Sequence, residues 1–134
     1  MAGTGRGLLD TSVFVASETG RPLDVKRLPQ ALAVSAVTIA EMHVGVLAAG
    51  DVDIRAQRLT TLEAVADIEM LPVDAAVAAS WALLRVHLAE TGRRLNVNDL
   101  WIAATALAHG IPVVTQDDDF EPIDGAAGLS VIRV

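Results

Sequence analysis

Asn98-Asp99-Leu100-Trp101-Ile102-Ala103-Ala104-Thr105-Ala106-Leu107 and, a few residues on, Val113-Val114-Thr115-Gln116-Asp117-Asp118-Asp119-Phe120 combine two kinds of signal. The first run is an alanine-rich helix that opens on an acid; the second is an apolar strand that ends in three consecutive carboxylates. If the sheet is parallel, a helix feeding a strand runs back against it, so Asp99 and Asp117 arrive at the same edge. The chemistry available to the chain depends on what else reaches that edge.

Upstream, Arg93-Arg94-Leu95-Asn96-Val97 is a loop, preceded by a long helix that Asp74 caps, that runs to about Thr91 and that Gly92 ends. Val77, Trp81, Leu84 and Leu88 share one face of it. Met70-Leu71-Pro72-Val73 reads as a short edge strand, since Pro72 cannot donate to a ladder. Asp53 to Asp67 carries Leu59, Leu62, Val65 and Ala66 at the spacing of a surface helix. Leu32 to Ala36 is a buried strand, and Thr38, at capping-box distance from Glu41, predicts a helix from Ile39 to Ala49 closed by Gly50. Gly7-Leu8-Leu9 is a first strand whose last residue is Asp10, with Thr11 or Ser12 capping the next helix. Gly20 to Pro29 holds two prolines and four charges and is a loop or a short helix. Downstream, Gly110 closes the Asp99 helix, Pro112 to Thr115 is a strand and Leu129 to Val134 the last one.

The expected order is β-α-β-α-α-β-α-α-β-β. Helices between most strands imply an α/β fold, a three-layer sandwich with helices on both faces of a parallel sheet of four to five strands, formed by residues 1–134 as a single domain. In such sheets the strand C-termini share one edge, and sites collect there. Asp10 ends the first strand, Glu41 is expected in the first turn of the helix after the second, Asp99 starts a helix and Asp117 follows a strand, so these acids belong together.

Of 134 residues, 52% are hydrophobic and 20% charged, which describes a globular chain able to bury a core and excludes a disordered one. The lack of cysteine excludes a disulfide framework and thiolate metal sites. The apolar run after Met1-Ala2-Gly3-Thr4-Gly5-Arg6-Gly7 is too short for a signal peptide, and none has bilayer-spanning length, so a cytoplasmic protein without membrane association is expected. A net charge of −7 argues against unspecific nucleic-acid binding unless the acids are gathered to hold cations, because a bound metal inverts the local sign.

Gathering carboxylates is costly: two like charges about 4 Å apart repel by roughly 4 kcal/mol at an effective dielectric of about 20. Helix N-termini return only about 0.3–1 kcal/mol each. Divalent cations or protonation must supply the rest, and an all-oxygen ligand set suits Mg²⁺ or Mn²⁺ rather than zinc. Two such ions can activate water and steady the leaving oxygen of a phosphodiester. Taken singly, Asp10 is equally a turn residue, Glu41 a capping partner, Asp99 a helix-start acid and Asp117 to Asp119 a solvated run. Four unrelated solvated acids would have no reason to share an edge.

Leu8-Leu9-Asp10-Thr11-Ser12, Ser35-Ala36-Val37-Thr38-Ile39-Ala40-Glu41-Met42, Asn98 to Ala106 and Val114-Thr115-Gln116-Asp117-Asp118-Asp119-Phe120 resemble, in order and spacing, the four motifs of PIN-domain ribonucleases, and most of all the VapC toxins of bacterial toxin-antitoxin pairs. The resemblance covers nearly the whole chain. It implies endonucleolytic cleavage of RNA dependent on Mg²⁺ or Mn²⁺, with Asp10, Glu41, Asp99 and Asp117 as catalytic metal ligands and Thr115, Ser12 and Asp119 in support. Asp119, beside Phe120, is the rival of Asp117 for the fourth position. The resemblance further implies a homodimer and a small antitoxin that covers the site.

A PIN-like binding module without activity is the alternative outside enzymology. A phosphatase of the haloacid dehalogenase type also places an Asp after its first strand, but it needs a second acid where Ser12 stands. His43, His87 and His109 lack mutual ligand spacing; Trp81 and Trp101 read as core or dimer contacts. Arg93 and Arg94 are either solvated loop charges or holders of RNA phosphate beside Asp99.

Overall fold

A computed structural model of the chain describes residues 5–134. Met1 to Thr4 of the N-terminal segment weighed above as a signal peptide lie outside the described residues. Five strands, β1 (Arg6–Leu9), β2 (Ala31–Ser35), β3 (Glu69–Leu71), β4 (Val113–Thr115) and β5 (Val131–Arg133), form one sheet in the order β3-β2-β1-β4-β5. All four pairings are parallel. The helices are α1 (Thr11–Thr19), α2 (Ala36–Leu47), α3 (Val52–Val65), α4 (Ala75–Thr91) and α5 (Val97–His109), in the chain order expected. Gly20 to Pro29 contains a short 3₁₀ turn, Val25–Arg27.

Strand periodicity builds two cores. Successive residues point to opposite faces, so Leu8, Ala33 and Val113 enter a core with Val77, Leu84 and Leu88 of α4 and Ile102 and Ala106 of α5. Leu9, Val34 and Val114 enter a second core with Val13 of α1, Met42 of α2 and Val65 of α3. Trp81 and Trp101 join α4 to α5 in a stack, their ring centroids 5.1 Å apart. The indole N–H of Trp81 is buried without a partner among the described residues.

Helix ends follow local chemistry. Asp74 accepts from the Val77 amide at 3.0 Å at the start of α4, and Gly92 and Gly110 end α4 and α5 with φ of 65° and 64°, a left-handed conformation that glycine adopts without a Cβ penalty. Two caps differ from expectation. Asp10 itself caps α1, its carboxylate accepting from the Ser12 amide, in place of Thr11 or Ser12. Helix α2 begins at Ala36, capped by Ser35, whose hydroxyl accepts from the Val37 amide at 3.0 Å. Thr38 is therefore fully buried inside the helix, Glu41 moves into the second turn, and the helix stops at Leu47, short of Gly50. The reason is that Ser35 is the last residue of β2 and still extended (φ −77°, ψ 148°), so its side chain reaches the free amides first.

Strand β1 lies in the middle, with its onward connection to β2 on one side and β4 on the other, so the order reverses between β1 and β4. A crevice opens at such a point, beyond the strand C-termini. Close backbone approach keeps this junction tight: a Cβ on Gly7 would stand 2.5 Å from Cγ of Pro29 and 2.8 Å from Cγ2 of Val114. Gly7→Ala is therefore expected to destabilise the fold by about 1–3 kcal/mol, the usual cost of overpacking. Denaturant unfolding with an unchanged midpoint would show that the contact relaxes freely.

Candidate active site

The acids gather at the C-terminal edge of the sheet around β1. Asp10 follows β1 and is only 4% exposed. One of its carboxylate oxygens accepts from the Ser12 amide and the other from the Thr115 hydroxyl at 2.5 Å. A hydroxyl has one proton to give. With that of Thr115 assigned to Asp10, its oxygen accepts from the Ser12 hydroxyl at 3.2 Å and from the Asp117 amide at 3.3 Å. Ser12 in turn accepts from the Gln116 amide at 2.9 Å. A directed chain thus runs from a backbone N–H through Ser12 and Thr115 to Asp10, tying the start of α1 to the end of β4.

Glu41 comes from α2. Its carboxylate accepts from the Thr11 hydroxyl at 2.7 Å, a bond between two helices that local sequence does not reveal. Thr11 was considered above only as a helix cap; its position directly after Asp10 was the available signal. Asp99 stands in the first turn of α5, which Asn96 caps by accepting from the Asn98 amide at 2.9 Å. Asp117 is half-buried and accepts from the Asp119 amide at 3.2 Å, while Asp119 is exposed. Asp118 leaves the cluster and pairs with Arg133 at 2.5 Å.

Electrostatics show the convergence. Burial raises the Asp99 pKa from 3.8 to about 7, and the negative charges of Asp10, Glu41, Asp119 and Asp117 add to it, in that order. Asp10 is also raised, first by burial and partly by Asp117, although the Thr115 and Ser12 bonds favour its charged form. Asp119 is raised chiefly by Asp117. Both rivals for the fourth position therefore belong to the field around Asp99: Asp117 is the one that Asp10 senses, and both act on Asp99, Asp119 ahead of Asp117.

The donors are all carboxylate oxygens, hard ligands for a hard divalent ion. Among the described residues no three of them stand already at ligand spacing about one point. That open arrangement fits an ion which keeps several waters and takes one or two carboxylates directly. His43 is exposed, and His87 and His109 sit on α4 and at the end of α5, outside the acidic field.

Sequence comparison agrees with the crevice. The PIN domain family matches residues 7–126. The chain belongs to this family. Ribonuclease VapC5 of Mycobacterium tuberculosis is 61% identical over 128 residues, covering 96% of this chain and 95% of that protein. Ribonuclease VapC4 of the same organism is 43% identical over 115 residues, 86% of this chain and 88% of its own. A crystal structure of VapBC-5 from M. tuberculosis, a member of the VapBC family of toxin-antitoxin systems, superposes with a TM-score of 0.91 at 58% identity, covering 96% of this chain and 98% of that one. The matched span, residues 7–126, contains all of the acids expected from sequence.

The raised pKa of Asp99 has a thermodynamic consequence for the metal-free PIN domain. Its protonated form is preferred in the folded state, so the stability it contributes is full below its ordinary value of 3.8 and is lost as pH rises through about 7. Melting temperature without divalent ions should fall between about pH 4 and about pH 7, and Asp99→Asn should flatten that fall. Equal slopes for the two proteins would show that another group titrates.

Proposed function

We propose that this PIN domain is a divalent-metal-dependent endoribonuclease that hydrolyses RNA phosphodiester bonds as the toxin of a toxin-antitoxin pair. The observation that carries this reading is the field at Asp99, which four other carboxylates from three separate segments of the chain create. Structural stability alone has no use for such a concentration of like charge. A polyanionic substrate could approach it only if cations first reversed its sign.

Asp10, Glu41, Asp99 and Asp117 would hold Mg²⁺ or Mn²⁺, which when bound supplies an activated water and charge neutralisation at the leaving oxygen. The chain's own part is positional. Ser12 and Thr115 fix the orientation of Asp10, and Thr11 fixes Glu41. Asp117 takes the fourth ligand position because it is half-buried against Thr115, while Asp119 is exposed and supports from outside.

The VapBC-5 structure, a toxin-antitoxin complex, supports an antitoxin as partner; a homodimer is what the resemblance to VapC toxins implies. Among the described residues no helix is long and apolar enough to cross a membrane, which is compatible with action on RNA in the cytoplasm.

The test uses protein freed of any partner, incubated with cellular RNA and Mg²⁺ or Mn²⁺, with new 5′ ends mapped by sequencing. Discrete ends are expected from the unaltered chain, none after chelation, and none from Asp10→Asn or Asp99→Asn of unchanged fold. Thr115→Val, which removes an orienting partner and no ligand, should slow cleavage by about 10- to 100-fold. Full cleavage by Asp99→Asn would overturn the metal-ligand reading, and Asp117→Asn compared with Asp119→Asn decides between the two candidate ligands by which loses more activity.

A further inference from the structure

The ten cationic side chains of this acidic protein are distributed unevenly. Arg6 and Arg133 pair with Glu69 and Asp118. Arg55 and Arg58 donate to the carbonyls of Ala49 and Gly45. Arg21, Lys26 and Arg27 lie between α1 and β2. The remaining three, Arg85, Arg93 and Arg94, line one cleft of about 340 Å³ where the end of α4 meets the start of α5. All three are exposed, and none forms an ion pair among the described residues. No carboxylate lines the cleft, whose apolar wall includes Trp81, Leu95 and Leu100.

We propose that this cleft docks the sugar-phosphate backbone of the RNA substrate at a position outside the acidic centre, a proposal that rests on the nuclease reading above. Three guanidinia in a cleft lined by no carboxylate repel one another and favour an anion, and their planar forks suit phosphate oxygens. The location favours RNA over an acidic protein segment. Leu100 of the cleft wall directly follows Asp99, so the arginines flank the helix start that carries a catalytic acid. A strand whose scissile phosphate lies among the acids has its neighbouring phosphates beside that same helix end. The chain as a whole, at −7, offers a polyanion little general attraction, so beyond any cations at the acids affinity needs a local basic surface of this kind. The apolar wall accommodates the less polar faces of ribose and base, as in clefts that track single strands.

The experiment measures binding of a labelled single-stranded RNA oligonucleotide by fluorescence anisotropy across a salt series, using the cleavage-silent Asp10→Asn chain. Arg85→Ala, Arg93→Ala and Arg94→Ala are combined in it, and compared with the combination Arg6→Ala, Arg21→Ala and Lys26→Ala, which removes the same charge away from both the cleft and the acids; Arg27 is left in place because it shares a pocket with Asp117. Loss of three phosphate contacts at about 0.7 each should make the slope of log K against log salt shallower by about 2 in the first combination, with a much smaller change in the second. Equal changes in both would overturn the proposal in favour of general charge. An unchanged RNA slope, with weakened binding of a poly-glutamate peptide, would overturn it in favour of an acidic protein segment. Failure of the unaltered chain to cut RNA with Mn²⁺ would remove the nuclease reading and this site with it; cleavage together with an unchanged slope would remove this site alone.

Discussion

A carboxylate buried at the end of the central strand is the constraint around which the molecule is arranged. Asp10 is nearly inaccessible, and burial opposes its charge, yet both of its oxygens are held by donors that favour charge. The two tendencies coexist because Asp10 also caps α1, so moving it away would cost the helix its N-terminal cap. Desolvation by several neighbours and repulsion from Asp117 are thereby maintained in a folded state that would otherwise relieve them. Such unfavourable electrostatics are what the proposed divalent ions would relieve.

The surrounding fold supplies what this arrangement costs. Two apolar cores grip the sheet from opposite faces, and adjacent residues of one strand serve different cores: Leu8 belongs with α4 and α5, Leu9 with α1, α2 and α3. The strand end that positions Asp10 is therefore held from both sides. The strand order reverses next to it, so the crossovers leave β1 in opposite directions at that end. The polar chain from Gln116 through Ser12 and Thr115 then joins β4 to α1 across that opening.

Much of this was legible in the sequence where a local pattern carries a local consequence. Alternating helices and apolar strands gave the parallel sheet, and Asp74, Gly92 and Gly110 marked helix ends through chemistry that acts within a turn. Reading failed where two residues competed for one task. Thr38 and Glu41 have capping-box spacing, but Ser35 reached the free amides of α2 first, because the strand delivered it there in an extended conformation. Thr11 was read as a cap, whereas its hydroxyl spans two helices to hold Glu41. Arg93 and Arg94 were visible as a basic pair, but Arg85, a helical turn and more upstream, joins them only because α4 and α5 fold together.

By itself the sequence determined the element types, the parallel sheet and the edge on which Asp10, Glu41, Asp99 and Asp117 would gather, since strand and helix periods and right-handed crossovers are set by short-range sterics. Tertiary structure alone decided the distances and partners within that edge. It left Asp117 half-buried beside Thr115 with Asp119 exposed, drew Asp118 away to Arg133, and raised the pKa of Asp99 through charges contributed by segments far apart in the chain. Desolvation and Coulombic coupling depend on separations through space, and no spacing along a chain encodes them until the chain has closed on itself.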